Sequence, residues 1–365
     1  MRAGREETLK SFLIRYEEML DPQRPVAHEI PTRILGYGEI STVLAIGERN
    51  SSGGKNQSGI DIGGGLAVKR MPMFNSREEA ENYRRLFFES IESLRERVGI
   101  DVVENSLIQV EPEEYARGRE KGKPIVMYII QRRLESDSIG NRIIHIVAPK
   151  EVERLVAAVV EETRKVFEFN RRNRGSYEIG FDGQISNWVV RNYQVGSGRL
   201  PEKPQLAYFD TSSPLLRKNG VEQLDPELFL RSAPSFMVWI IRLLFLKDVL
   251  TRYYDFRKVL IDLLANFYKE KLGHLVPELV EVVNGVIEKP VSNAAEDKPK
   301  RASLQAPDDT EPLRVVPITV KEVESYYRED AMIWRLYLAF RKTDRFLKNF
   351  LKLNYPYILP EKIER

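Results

Sequence analysis

Four short segments of the 365-residue chain hold side chains whose types and spacing could do chemistry. In Gly36-Tyr-Gly38-Glu-Ile-Ser41-Thr-Val43, two glycines fall between apolar runs. Without a Cβ, backbone amides can approach the oxygens of a phosphate, although a glycine pair also serves a plain hairpin turn. Leu66-Ala67-Val-Lys69 sets a lysine at the end of an apolar strand. Its ammonium could hold phosphate as a point charge, or mark a solvated strand end. Asp182-Gly-Gln-Ile-Ser-Asn187 offers a carboxylate to orient or accept the proton of an attacking hydroxyl, and an amide oxygen suited to a hard cation. Asp-Gly is equally a common turn. Leu206-Ala-Tyr-Phe-Asp210-Thr-Ser puts a carboxylate directly after a strand. There it could hold magnesium with phosphate oxygens, or cap a turn.

Composition removes other chemistries. There is no cysteine, so disulfides, thiolate catalysis and cysteine metal sites are excluded, and the three histidines (His28, His145, His274) lie far apart. Lys+Arg number 57 against Asp+Glu 54, a balance that calls for no nucleic acid or membrane partner. The N-terminus lacks an apolar signal core, and a cytoplasmic location is the expectation.

Positioning falls to the intervening elements. Leu9, Phe12, Leu13, Tyr16 and Leu20 recur at helical spacing, predicting a helix over 5–20. Arg33 to Ile46 reads as two strands around the glycine turn, and Arg49 to Gly65 as a mobile loop. After the Lys69 strand, Ser76 and Glu79 form a capping-box pattern opening a helix whose face carries Phe87, Ile91, Leu94 and Val98. Ser106–Val110 and Ile125–Ile130 read as strands, the second so apolar that it belongs at the centre of a sheet. Pro149–Arg172 has the pattern of a long helix; strands follow at Trp188–Tyr193 and Leu206–Phe209, and helices from Pro226 to about Glu288. Lys289–Pro317 reads as a linker, and Thr319–Leu353 as a last helix.

Glycine turn, strand lysine, helix, central strand, long helix, D-x-x-x-x-N, hairpin and strand-following Asp occur in that order. From Arg33 to Pro214 the chain thereby resembles the protein-kinase-like superfamily. The resemblance implies an α+β, two-lobed fold with a β-rich nucleotide-binding N-lobe at 31–131 and a helical C-lobe at 132–365; helical spacing adds an N-terminal helical extension at 1–30, and composition a flexible insertion at 289–317. It implies ATP and Mg²⁺ as cofactors. Gly36, Gly38 and Ser41 would lie over the phosphates, Val43 and Ala67 beside the adenine, and Gln131, Arg132 and Arg133 at the hinge. Lys69 would pair with phosphate and with a helix glutamate, Glu89 or its rival Glu81. Asp182 would be the catalytic base or orienting acid, and Asn187 and Asp210 would hold Mg²⁺.

The departures from the family pattern are specific. Gly180-Phe181 stands where protein kinases carry His-Arg, Gln184 where they carry a phosphate-contacting lysine, and Thr211-Ser212 where Phe-Gly follows the metal Asp. The pattern sits nearer the aminoglycoside phosphotransferase and choline kinase-like branch than Ser/Thr or Tyr protein kinases. The function implied is phosphate transfer to a hydroxyl on an unidentified, small-molecule acceptor; the alternative is an inactive, nucleotide-binding pseudokinase acting as a scaffold or regulator. Basic clusters at Asn170–Arg174 and Gln131–Arg133 motivate a third, RNA-associated reading, against the simpler one of solvated element ends. Phe236–Leu246 is too short to span a bilayer and reads as a buried helix. Lys298–Ser303 reads as solvating charge within the linker.

Overall fold

The computed structural model describes residues 3–25, 30–37, 41–46, 65–115, 124–231, 251–289, 315–351 and 355–359. Gly38, nearly all of the expected loop at 49–65, the apolar run Phe236–Leu246, the Lys298–Ser303 cluster and most of the 289–317 segment lie outside them.

The N-terminal part is built on five antiparallel strands, β1 (Thr32–Tyr37), β2 (Thr42–Ile46), β3 (Leu66–Phe74), β4 (Asn105–Val110) and β5 (Ile125–Arg132), in the order β1-β2-β3-β5-β4. The nearly continuous apolar sequence of β5 has a simple cause. Successive side chains alternate between faces, and both faces are covered. Val126, Tyr128 and Ile130 pack with Leu9, Phe12, Leu13 and Tyr16 of α1 (Ala3–Met19). Ile125, Met127 and Ile129 point the other way, into a core that includes Tyr83, Leu86, Phe87 and Ile91 of α2 (Arg77–Glu92). Each of the four buried α1 side chains stabilises this packing by about 1.5–3 kcal/mol. Helix α2 starts as its sequence dictates: the Ser76 hydroxyl accepts from the Glu79 N–H at 3.2 Å, and the Glu79 carboxylate accepts from Asn75 N–H at 2.9 Å. A π-helical turn over Ser93–Val98 ends its regular spacing.

Strand β3 is longer than its sequence suggests. Pro72 cannot donate to a ladder, yet the strand continues to Phe74 because the pairing with β5 shifts register between Met71 and Phe74. Lys69 therefore sits within the strand, not at its end.

The C-terminal part is mainly helical. After the single turns α3 (Pro112–Tyr115) and α4 (Gly140–Ile143) come α5 (Pro149–Arg172), strands β6 (Tyr177–Ile179), β7 (Trp188–Val190), β8 (Leu206–Tyr208), β9 (Leu216–Lys218) and β10 (Val221–Glu222), then α6 (Glu227–Leu230), α7 (Phe256–Lys269), α8 (Val276–Glu288) and α9 (Val320–Phe350). β7 and β8 form a hairpin, and β10-β9-β6 a small separate sheet. The chain is thus mixed α+β, sheet-rich first and helical afterwards. Among the described residues no helix is long and apolar enough to cross a membrane.

Candidate functional site

Alternation along β3 decides where its cations go. Val68 and Arg70 face α1, where the Arg70 guanidinium is gripped by Glu17 at 2.6 and 2.9 Å, donates to the Pro356 carbonyl, and lies beside Tyr128, whose hydroxyl also donates to Glu17. Lys69, between them, points to the opposite face. There its Nζ lies 2.8 Å from Asp210 Oδ1 and 2.9 Å from the Ser212 hydroxyl.

Hairpin register assembles the other partners. Trp188 pairs with Tyr208, so Asn187 just before β7 meets Phe209 just after β8, and the Phe209 N–H donates to the Asn187 carbonyl at 3.0 Å. The Asn187 amide in turn donates to the Asp182 carbonyl at 3.2 Å, and the Gln184 N–H to Asp182 Oδ1 at 3.1 Å. The five-residue spacing of Asp182 and Asn187 thus closes a tight loop whose ends are set by the hairpin. Asp182, Asp210, Thr211 and Tyr208 line one cavity of about 40 Å³ beneath Ser90 and Leu94, room for about one water. The Thr211 hydroxyl is buried without a hydrogen-bond partner among the described residues.

The Gly180-Phe181 departure has a packing cause. A Cβ at position 180 would lie 2.6 Å from Leu215 Cβ, so no larger side chain fits where the Gly180 N–H bonds the Leu215 carbonyl. Phe181 anchors the loop instead, packing against Trp188 and Tyr208 while its N–H donates to the Tyr253 carbonyl.

The two carboxyl groups are tuned in opposite directions. Asp182 is pushed up to about 7, by burial first, then by the nearby charges of Asp262 and Asp210, against the hydrogen bond from Gln184 and the charge of Arg252. Burial also pushes Asp210 up, but the Lys69 ammonium and the hydrogen bonds from Lys69 and Ser212 outweigh it and hold Asp210 below its ordinary value. One group is poised near neutrality and the other is kept ionised.

Other residues singled out from sequence have mixed placements. Glu89 does not meet Lys69. Its carboxylate is taken by Lys218 of β9 at 2.6 Å and by the Tyr177 hydroxyl at 3.1 Å, which hold it below its ordinary value despite burial. Glu81 lies 4.0 Å from Arg84. Lys69 has Asp210 and Ser212 as its partners in their place. Gly36 pairs with Val43 across a register shift in β1, Val43 with Lys69, and Ala67 with Gln131, while Ser41 is buried ahead of β2. The Gln131 side chain donates to the Phe209 carbonyl at 2.6 Å and to Asn105 Oδ1, tying β5 to the segment before Asp210. Arg132 ends β5 opposite Leu66, and the Arg133 N–H already bonds the Gly65 carbonyl.

Sequence reasoning missed three participants. Ser212 bridges Lys69 and Asp210. The Tyr83 hydroxyl of α2 donates to the Ser212 carbonyl at 2.9 Å. Asp262 of α7, buried, accepts from the Gln184 amide at 2.7 Å. The last carried a readable signal, since it is the one charged residue in the apolar run Val259-Leu-Ile-Asp262-Leu-Leu-Ala265.

Residues 61–313 match the model of a family of unknown function, DUF6206, a span that takes in Lys69, Asp182, Asn187 and Asp210 together. The chain belongs to this family. Within DUF6206 the site described above is therefore part of the matched region, whereas Gly36 and Ser41 precede it. No curated protein matches the sequence. A solved structure with some likeness, WaaP in complex with acyl carrier protein, shares 15% identity over 73% of this chain and 93% of that chain, with a TM-score of 0.27. With so low a TM-score the likeness carries no structural argument.

Proposed function

We propose that this DUF6206 protein is a kinase-like phosphotransferase that moves a phosphoryl group from a nucleotide to a hydroxyl acceptor. The observation that carries the reading is the meeting of Lys69 with Asp210, on a cavity that Asp182 and Asp210 share. Strand lysine, loop Asp, Asn and strand-following Asp are the ordered set that resembles the protein-kinase-like superfamily; Lys69 bonds Asp210, and Asp182 lines the same cavity as Asp210.

The donor set suits Mg²⁺. Among the described residues no three His, Asp or Glu side chains make a metal site alone, which fits an ion held by one carboxylate, an amide oxygen and phosphate oxygens. Asp210, kept ionised, and Asn187 would supply the protein ligands, and the unpartnered Thr211 hydroxyl gives the cavity a further polar atom for a bound oxygen. Bound Mg²⁺ would neutralise charge on the transferring phosphoryl group. Lys69 would move from Asp210 toward phosphate, and Ser212 would keep Asp210 oriented as it does so. Asp182, near neutral pH in its titration, would align the acceptor hydroxyl and take its proton. Catalysis of this kind is mostly positioning and charge compensation.

Magnesium-dependent ADP release across a panel of hydroxyl compounds tests the proposal. Asp182→Asn, which keeps an oxygen for the Gln184 N–H, should lose turnover at least about a hundredfold while nucleotide affinity stays within a few-fold. Undiminished turnover in that variant removes the mechanism. A second reading, a nucleotide binder that transfers nothing, draws on Gln184 and on the diversion of Glu89 to Lys218. It predicts nucleotide binding with no acceptor-dependent ADP release.

A further inference from the structure

Helix α9 has two different halves. Its first half is a structural element of the C-terminal core: Val323 is fully buried, Tyr326 and Tyr327 pack on the core, and Glu322 is bonded by Arg257 at 2.8 Å. Charges there are mixed, with Lys321, Glu322, Glu324, Arg328, Glu329 and Asp330 within ten residues or so.

The second half is held by its back. Leu338, Arg341 and Asp344 are buried, and Arg341 stacks over Tyr357 and reaches the Tyr355 hydroxyl. The opposite face carries Met332, Leu336, Phe346, Leu347 and Phe350, which at 100° per residue fall within about 100° of arc along roughly 27 Å of helix. These side chains are open to solvent: Met332 is 56% exposed, Phe346 69% and Phe350 77%, and Leu351 at the helix end is 62% exposed. An exposed apolar row of this kind, with Ala339 and Thr343 between Leu336 and Phe346, is uncommon on a freely soluble surface and marks a contact.

Charge selects the partner. Between Met332 and Leu351 the chain carries Arg335, Arg341, Lys342, Arg345 and Lys348 against one acidic residue, Asp344. That carboxylate is buried and paired with Lys348 at 2.7 Å, and Arg341 is itself buried, so this half carries a net positive charge with Arg335 exposed beside the row. An apolar row of Phe, Leu and Met on a basic helix is the pattern of an element lying in the plane of a lipid–water interface, its apolar side in the acyl boundary and its cations at anionic headgroups.

We propose that the C-terminal half of α9 is a peripheral membrane-binding surface that docks on anionic bilayers. The expectation of no membrane partner rested on the near-balanced charge of the whole chain and on the lack of a spanning segment, and neither criterion detects a locally basic helix lying in the plane of the interface. The proposal stands independently of the phosphotransferase reading.

Vesicle flotation of the full chain tests it, using phosphatidylcholine vesicles with and without about a third phosphatidylglycerol. The expected result is binding to the anionic vesicles, weakened at least about tenfold without phosphatidylglycerol or by raised salt. Leu336→Ser/Phe346→Ser/Phe350→Ser, all at exposed positions, should abolish flotation while circular dichroism and melting temperature stay as in the wild type. Arg335→Glu/Arg345→Glu should weaken binding to anionic vesicles at least about tenfold. Three results overturn the proposal: no flotation with either vesicle, equal binding to both, or a concentration-dependent dimer that the triple substitution dissolves, which would assign the row to a second copy of the chain.

Discussion

Lys69 Nζ lies 2.8 Å from Asp210 Oδ1 although 141 residues separate them. The pair is part-exposed, with 18% and 33% of the side chains open to solvent, so it contributes about 1 kcal/mol or less to stability. Its value is positional. Lys69→Met should leave the melting temperature without ligand within a few degrees of wild type, yet remove the stabilisation that nucleotide confers. An unaltered nucleotide-induced shift in the variant separates Lys69 from phosphate.

The tuning of Asp182 predicts two pH effects. If it takes the acceptor's proton, turnover should rise through an apparent pKa near 7, not the ordinary 3.8 of an aspartate. Asp262→Asn removes a charge that pushes Asp182 up, so the limb should move to lower pH while the Gln184 contact persists through the amide oxygen. A profile that does not shift excludes Asp182 as the titrating group.

Stability should show the same residue with the sign reversed. The folded carboxyl titrates above its ordinary value, so its favourable contribution is complete below about pH 4 and is lost as pH rises through about 7. Asp182→Asn should therefore be more stable than wild type at pH 8, by about 1–2 kcal/mol once partial exposure is allowed for. The difference should vanish near pH 4. Melting temperatures across that range read it directly, and a gap that widens on acidification contradicts the account.

Much of this arrangement was readable from residue order. The unbroken apolar sequence of β5 announced a strand covered on both sides, Ser76 marked the start of α2, and the span of α5 agrees at both ends with its apolar spacing. What was not readable depends on short or interrupted elements. Pro72 hid the continuation of β3, and with it the opposed directions of Lys69 and Arg70. Lys218 belongs to a three-residue strand, too short to leave a pattern, so nothing local indicated that it would claim Glu89. Asp262 could be flagged as a charge in an apolar helix, but its partner Gln184 lies 78 residues away.

The Glu17–Arg70 pair tests how the first helix is fastened. Both side chains are almost wholly buried and bonded twice, with Tyr128 and the Pro356 carbonyl completing the set. Arg70→Met alone should cost about 3–5 kcal/mol because it strands a buried carboxylate. Arg70→Met with Glu17→Leu should recover much of that loss in a denaturation titration. If the double variant is no more stable than the single one, the cost is not one of unpaired charge.

Gly180 and Gly285 make a matched test of packing against propensity. Gly180→Ala forces a Cβ to 2.6 Å from Leu215 and should destabilise by about 1–3 kcal/mol. Gly285, inside α8 with nothing within 4 Å of its virtual Cβ, should gain about 0.5–1 kcal/mol on conversion to alanine. Equal midpoints for the two variants would show that the Asp182 loop is looser than its contacts indicate.

The most direct measurement is the melting temperature of the wild type and Asp210→Asn in ATP, with and without Mg²⁺. The proposed nucleotide–metal site at Lys69, Asp182, Asn187 and Asp210 predicts stabilisation by ATP that grows with Mg²⁺ in the wild type and loses its metal dependence in the variant. No shift with ATP under either condition, or an identical Mg²⁺ response in Asp210→Asn, would contradict it.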